Sequence, residues 1–274
     1  MTIKNYLALS VAATSLLLVA GTSCQQLKAR DRINKGVQAF KAAKYAEAVD
    51  HFSAATEIDP KFDTARLYLA TAYYQQYIPG GGSPENLEMA SKARGEYNKV
   101  LANDPKNSLA LASIASLYFH QKDWDEAEKW NRRLLESDPK NKEGYYTLGV
   151  IAWTRSFSER MKQRAKLSMK PEDPGPIKDA KVRDALRADF LPMVNSGMES
   201  LQKAMEVDPE YDDAMAYLNL LHRERADMQS DLGEYKKDVA AADEWVQKTM
   251  EVKKIKQERA AKAQPGGIVQ DTAK

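Results

Sequence analysis

Residues 108–141 read SLALASIASLYFHQKDWDEAEKWNRRLLESDPKN, and the fold is decided in this stretch. Leu111, Ile114, Ala115, Tyr118 and Phe119 recur at spacings of three and four, the period of one face of an α-helix. Trp124, Ala127, Trp130, Leu134 and Leu135 repeat that period, so a second amphipathic helix follows the first. Between them Gln121-Lys122-Asp123 leaves room only for a tight helix-helix turn. Asp138-Pro139 ends the second helix, because proline has no amide to donate and keeps the residue before it out of the helical region.

The same Asp-Pro punctuation stands at Asp59-Pro60, Asp104-Pro105 and Asp208-Pro209, in phase with the 34-residue unit once two insertions are allowed for. In that phase Gly36, Ala70, Ala115 and Gly149 fall at position eight of the first helix. Ala48, Ala93, Ala127 and Gly197 fall at position twenty, in the second. Small residues at both positions let paired helices approach closely. This pattern resembles the tetratricopeptide repeat. The resemblance implies an all-α, right-handed superhelical solenoid of antiparallel helix pairs over residues 29–263. The repeats are expected at about 29–62, 63–107, 108–141, 142–211 and 212–255. Position four, usually tryptophan in the family, holds Arg32, Arg66, Leu111 and Tyr145. In the fifth unit Asn219 replaces the small residue and no Asp-Pro closes it, which suits a terminal cap.

The second unit carries an insertion around Ile78-Pro79-Gly80-Gly81-Gly82, which reads as a loop, with Ser83 or Pro84 opening the next helix. The fourth unit carries a longer insertion, about 154–191. Its first part has six cations from Arg155 to Lys170 against Glu159, then a proline-rich turn to Pro176, and a helical pattern from Lys178 to Asp189. The expectation is a protruding arm that adds nothing to the repeat core and offers its cations to an acidic partner, with the repeat helix restarting near Pro192. A long helix is expected from Lys237 to about Ala263, and a flexible tail over 264–274.

Residues 1–23 differ from the rest: Lys4 precedes an apolar run from Leu7 to Ala20, as in a secretory signal. The run is shorter than the ~20 residues that span a bilayer. Cys24, the one cysteine, follows Gly21-Thr22-Ser23, which resembles the lipobox of bacterial lipoproteins. Cleavage before Cys24 would make it the lipid-bearing residue, with 24–28 as a short linker. Ordinary cleavage near Ser23 is the other reading, since Gly21 stands where that box usually has leucine. Gln25 after the cysteine implies, by analogy with Gram-negative lipoproteins, the periplasmic face of the outer membrane.

With 41 basic and 39 acidic residues the net charge is +2, so nothing in the charge balance points to nucleic acid as partner. His51, His120 and His222 lie in different repeats at no metal-ligand spacing. No phosphate loop, Gly-x-Ser-x-Gly or His-Glu-x-x-His motif is present. A non-enzymatic chain without cofactor is the expectation.

The family resemblance implies binding of a protein or peptide on the concave face, lined by the first helices. The positions that point there are Ile33, Val37 and Phe40, then Leu67, Thr71 and Tyr74. They continue with Ala112, Ser116, Phe119 and His120, and end with Tyr146, Val150 and Trp153. Position twelve is aromatic four times running. Position nine holds Val37, Thr71, Ser116 and Val150, without the asparagine-lysine set that related cochaperones use to clamp a C-terminal carboxylate, so an apolar or aromatic segment is the expected ligand. A lipid-anchored envelope scaffold is the leading reading; a regulatory subunit of a cell-wall hydrolase or synthase is the second.

Overall fold

A computed structural model describes residues 25–170 and 173–263. The expected signal segment, Cys24 and the expected tail over 264–274 lie outside the described residues. Within them every regular element is a helix. Helix α1 runs over 25–41, α2 over Tyr45–Ile58, α3 over Asp63–Gln76, α4 over Pro84–Asn103 and α5 over Ser108–His120. They are followed by α6 (Trp124–Ser137), α7 (Lys142–Lys166), α8 (Ala180–Val207), α9 (Asp212–Asp227) and α10 (Leu232–Ala263). The chain divides into two compact units, residues 1–133 and 134–274.

The Asp-Pro junctions do more than stop a helix. Each aspartate accepts a hydrogen bond from the amide two residues on: Asp59 from Lys61, Asp104 from Lys106, Asp138 from Lys140, Asp208 from Glu210. At two junctions an asparagine then caps the next helix. Asn107 Oδ1 accepts from the Ala110 amide and Asn141 Oδ1 from the Gly144 amide, while each amide nitrogen donates back to the junction aspartate. One short motif thus satisfies orphan amides at the helix start. Inside the hairpins, Ala43 and Lys122 occupy the same repeat position and both take a positive φ, 58° and 60°.

In the first unit Phe52 lies against Gly36 so closely that a Cβ there would come within 2.5 Å of the ring. Phe52, Ala48, Ala55, Ala65 and Leu69 form its buried centre with Ile33. In the second unit the same closeness recurs: a Cβ on Gly149 would meet Leu201 at 2.4 Å, and one on Gly197 would meet Ala152 at 2.5 Å.

The 154–191 segment departs from expectation. It does not protrude: α7 continues without break through Lys166, and α8 begins at Ala180, capped by Asp179, well before Pro192. Pro192 is accommodated inside α8, where it removes the amide that would reach the carbonyl of residue 188. Met169, Ile177 and Leu186 are buried in the same core as Val194, Leu218, Leu221 and Met228. The Ile177 amide donates to the Asp227 carbonyl, and the Gly175 amide to Tyr235 Oη. Two of the six cations, Arg160 and Arg164, turn inward, which removes them from any basic outer surface. The long last helix also starts earlier than expected, at Leu232.

Candidate functional site

In the first unit the positions expected on the concave face sit on α1, α3 and α5. Ile33 is buried and belongs to the packing, whereas Val37, Phe40, Leu67, Tyr74, Ala112, Phe119 and His120 are half-buried. Tyr74 Oη lies 2.8 Å from Ser116 Oγ, a hydroxyl pair that ties α3 to α5 through two of these positions. Thr71 is committed elsewhere: its hydroxyl donates to the Leu67 carbonyl and lies 3.2 Å from Tyr97 Oη on α4.

Phe119 meets Trp124 edge-on at 5.5 Å, across the turn that begins α6, and His120 at 5.9 Å. Burial lowers the pKa of His120, because desolvation disfavours the imidazolium, so the ring is neutral at pH 7. The face from Val37 to His120 therefore offers rings, methyl groups and hydroxyls, and carries no charge on these side chains.

The second unit builds an aromatic run from α7 and α9. Tyr146 contacts Tyr211 at 5.3 Å and Tyr217 edge-on at 5.4 Å; Tyr217 in turn meets Trp153, which stacks on Phe157 at 5.0 Å. Val150 is buried. Trp153 Nε1 is buried without a hydrogen-bond partner among the described residues, so this ring is held by packing. Burial raises the Tyr146 phenol well above its ordinary range. Tyr217, Phe157 and Trp124 were not among the sequence-derived positions. Each stands one or more places off the family's groove positions; packing brings Tyr217 and Phe157 into this run and Trp124 against Phe119.

Among the described residues no group of three His, Cys, Asp or Glu side chains could hold a metal ion. His222 is buried beside Asp238, whose carboxylate also takes Arg225 and Gln229. No helix of the described residues is long and apolar enough to cross a membrane.

Comparison with known proteins agrees with this architecture. Residues 88–149 match the tetratricopeptide repeat family model. Hsp70-Hsp90 organizing protein 3 of Arabidopsis thaliana is 27% identical over 187 residues, 65% of this chain and 31% of that protein. The chain thus spans under a third of that relative's length. Among solved structures, MamA from Desulfovibrio magneticus RS-1 is 18% identical with a TM-score of 0.54, covering 83% of this chain and 96% of that one. YrrB, described as a TPR protein with an unusual peptide-binding site, is 14% identical with a TM-score of 0.51, covering 81% and 84%. The chain has the fold shared by tetratricopeptide repeat proteins, and residues 88–149 carry that family's own sequence pattern.

Proposed function

We propose that this chain is a non-enzymatic scaffold of the cell envelope, anchored through lipid on Cys24, that binds an apolar or aromatic-bearing segment of a protein partner on its first-helix faces. The observation that carries the reading is the set of half-buried rings Phe40, Tyr74 and Phe119 on α1, α3 and α5, interleaved with hydroxyls and free of charge. Rings of this kind present large apolar area with few rotamers to freeze, which makes them typical interface anchors. Peptide binding described for YrrB, a protein of the same fold, supports the class of ligand. The lipid anchor rests on the apolar run from Leu7 to Ala20 and the single cysteine behind it.

The experiment is photocrosslinking in cells from position 119, with exposed Lys129 on α6 as the control position. A partner captured from 119 and not from 129 supports the first-helix face as the binding surface. Equal capture from both positions contradicts it.

A further inference from the structure

The 154–191 hairpin has two flanks, and among the described residues α9 covers one of them. On α7, Arg160 and Arg164 face α9, where they reach Glu224 and Asp227. On α8, Arg183 and Arg187 face the same side, donating to the carbonyls of Ile177 and Met228. One step round each helix lies the other flank, where a cavity of about 410 Å³ opens between the two helices. Glu159 and Gln163 form one wall and Lys181, Ala185 and Asp189 the other, over a floor of Val182, Leu186 and Phe190. The floor residues recur every fourth position and pack into the core beneath.

The groove is polar at its ends in a definite order. The close approaches of Gly149 to Leu201 and of Gly197 to Ala152 set the antiparallel register. That register brings Glu159 level with Asp189 and Phe190, at the end nearer the repeat core. Lys181 stands about 12 Å away along α8, eight residues at 1.5 Å each. Neither Lys181 nor Asp189 has an ion-pair partner among the described residues. Glu159 accepts from Gln163 at 2.7 Å and from Lys162 at 3.3 Å, and both hold its carboxyl below the usual range. The cavity is lined along α8 from Lys181 to Phe190, about two and a half turns, with α7 on its other side, and a cleft between two helices can take a third.

We propose that this groove binds an amphipathic helix of a protein partner, lying antiparallel to α8, with a basic N-terminal end over Glu159 and Asp189 and an acidic residue over Lys181. The positive end of the bound helix's dipole then meets the two carboxylates and its negative end meets the ammonium, so dipole and side-chain charge favour the same direction. Apolar residues at spacings of three and four would fill the space above Ala185 and Leu186. The site is separate from the first-helix faces and stands whether or not they bind.

Selection of a displayed library of 18-residue helical peptides against the full-length protein tests this directly. The enriched peptides should carry an apolar stripe, lysine or arginine in the first turns and aspartate or glutamate in the last. Ala185→Arg, which fills an exposed part of the groove, should weaken the best peptide at least tenfold with the melting temperature unchanged. Asp189→Lys should do the same, and a peptide with a first-turn lysine changed to glutamate should recover the loss. No enrichment, equal binding to Ala185→Arg, or enriched peptides without this charge order would overturn the proposal.

Discussion

Arg164 Nη1 donates to Asp227 Oδ2 at 2.9 Å, joining residues 63 positions apart with both side chains out of solvent. The same guanidinium donates through Nη2 to the carbonyls of Lys170 and Asp173 at 2.8 and 2.7 Å. One side chain therefore holds the end of α7, the 167–179 connection and the last turn of α9. Removing Arg164 leaves Asp227 with Arg160 as its remaining cation, at 2.6 Å, and takes the guanidinium donors from the Lys170 and Asp173 carbonyls; each buried group left unpaired costs about 1–3 kcal/mol. Arg164→Ala should lower the unfolding free energy by that order in urea titration of the full-length protein. A loss under about 1 kcal/mol, in the range of an exposed ion pair, would show that the segment is not fastened here.

Glu224 adds a pH dependence to the same cluster. Its bidentate bond from Arg160, at 2.8 and 2.9 Å, does not fully offset burial, which pushes its carboxyl up to about 7. The folded state then holds a proton that the unfolded chain has released, so this group's contribution is complete below the ordinary glutamate range and is lost as pH rises through 7. Glu224→Gln should flatten the fall in unfolding free energy between pH 5 and 7. An unchanged slope in the variant would assign that titration to another group.

Two glycines separate close packing from helix propensity. Gly149→Ala places a methyl group 2.4 Å from Leu201, and overpacking of this kind costs about 1–3 kcal/mol. Gly95 in α4 has nothing within 4 Å of an added Cβ, so Gly95→Ala should instead gain about 1 kcal/mol from helix propensity. Thermal melts of the two variants should move in opposite directions; shifts of the same sign would contradict the assignment of Gly149 to the helix-helix contact.

The repeat architecture was legible because it is written in local terms. Asp-Pro pairs, small residues in phase and three-four apolar spacing each report on their own helix and its hairpin partner. The packing of the 154–191 segment is not legible in the sequence, for the opposite reason. Arg160 and Arg164 look like a solvated basic face until their partners, more than 60 residues away on α9, are known. Likewise the prolines at 171, 174 and 176 mark a turn, but say nothing of Ile177 beyond them being buried under Met228. Periodicity shows which face of a helix is apolar; what covers that face is a tertiary fact. The concave positions were split the same way: Tyr74 and Phe119 are half-exposed, while Ile33 and Val150 are core.

The proposed lipid anchor is tested by Cys24→Ser. One acyl chain gives only marginal membrane binding, whereas two or three give stable anchoring. The variant should be released from membranes into the soluble fraction. Retention through alkaline washing would contradict lipidation at this position.

The binding face is tested most directly at Phe119. Its ring is half-buried and touches Trp124 edge-on, so truncation removes part of an exposed surface and little of the core. An aromatic anchor at an interface is worth about 2 kcal/mol or more on truncation. Affinity of Phe119→Ala for the partner captured from that position, measured by titration calorimetry beside a thermal melt, decides the matter. At least a tenfold loss of affinity with a melt shifted by only a few degrees is the predicted result; a sharp drop in the melt with unchanged affinity of the remaining folded protein would contradict it.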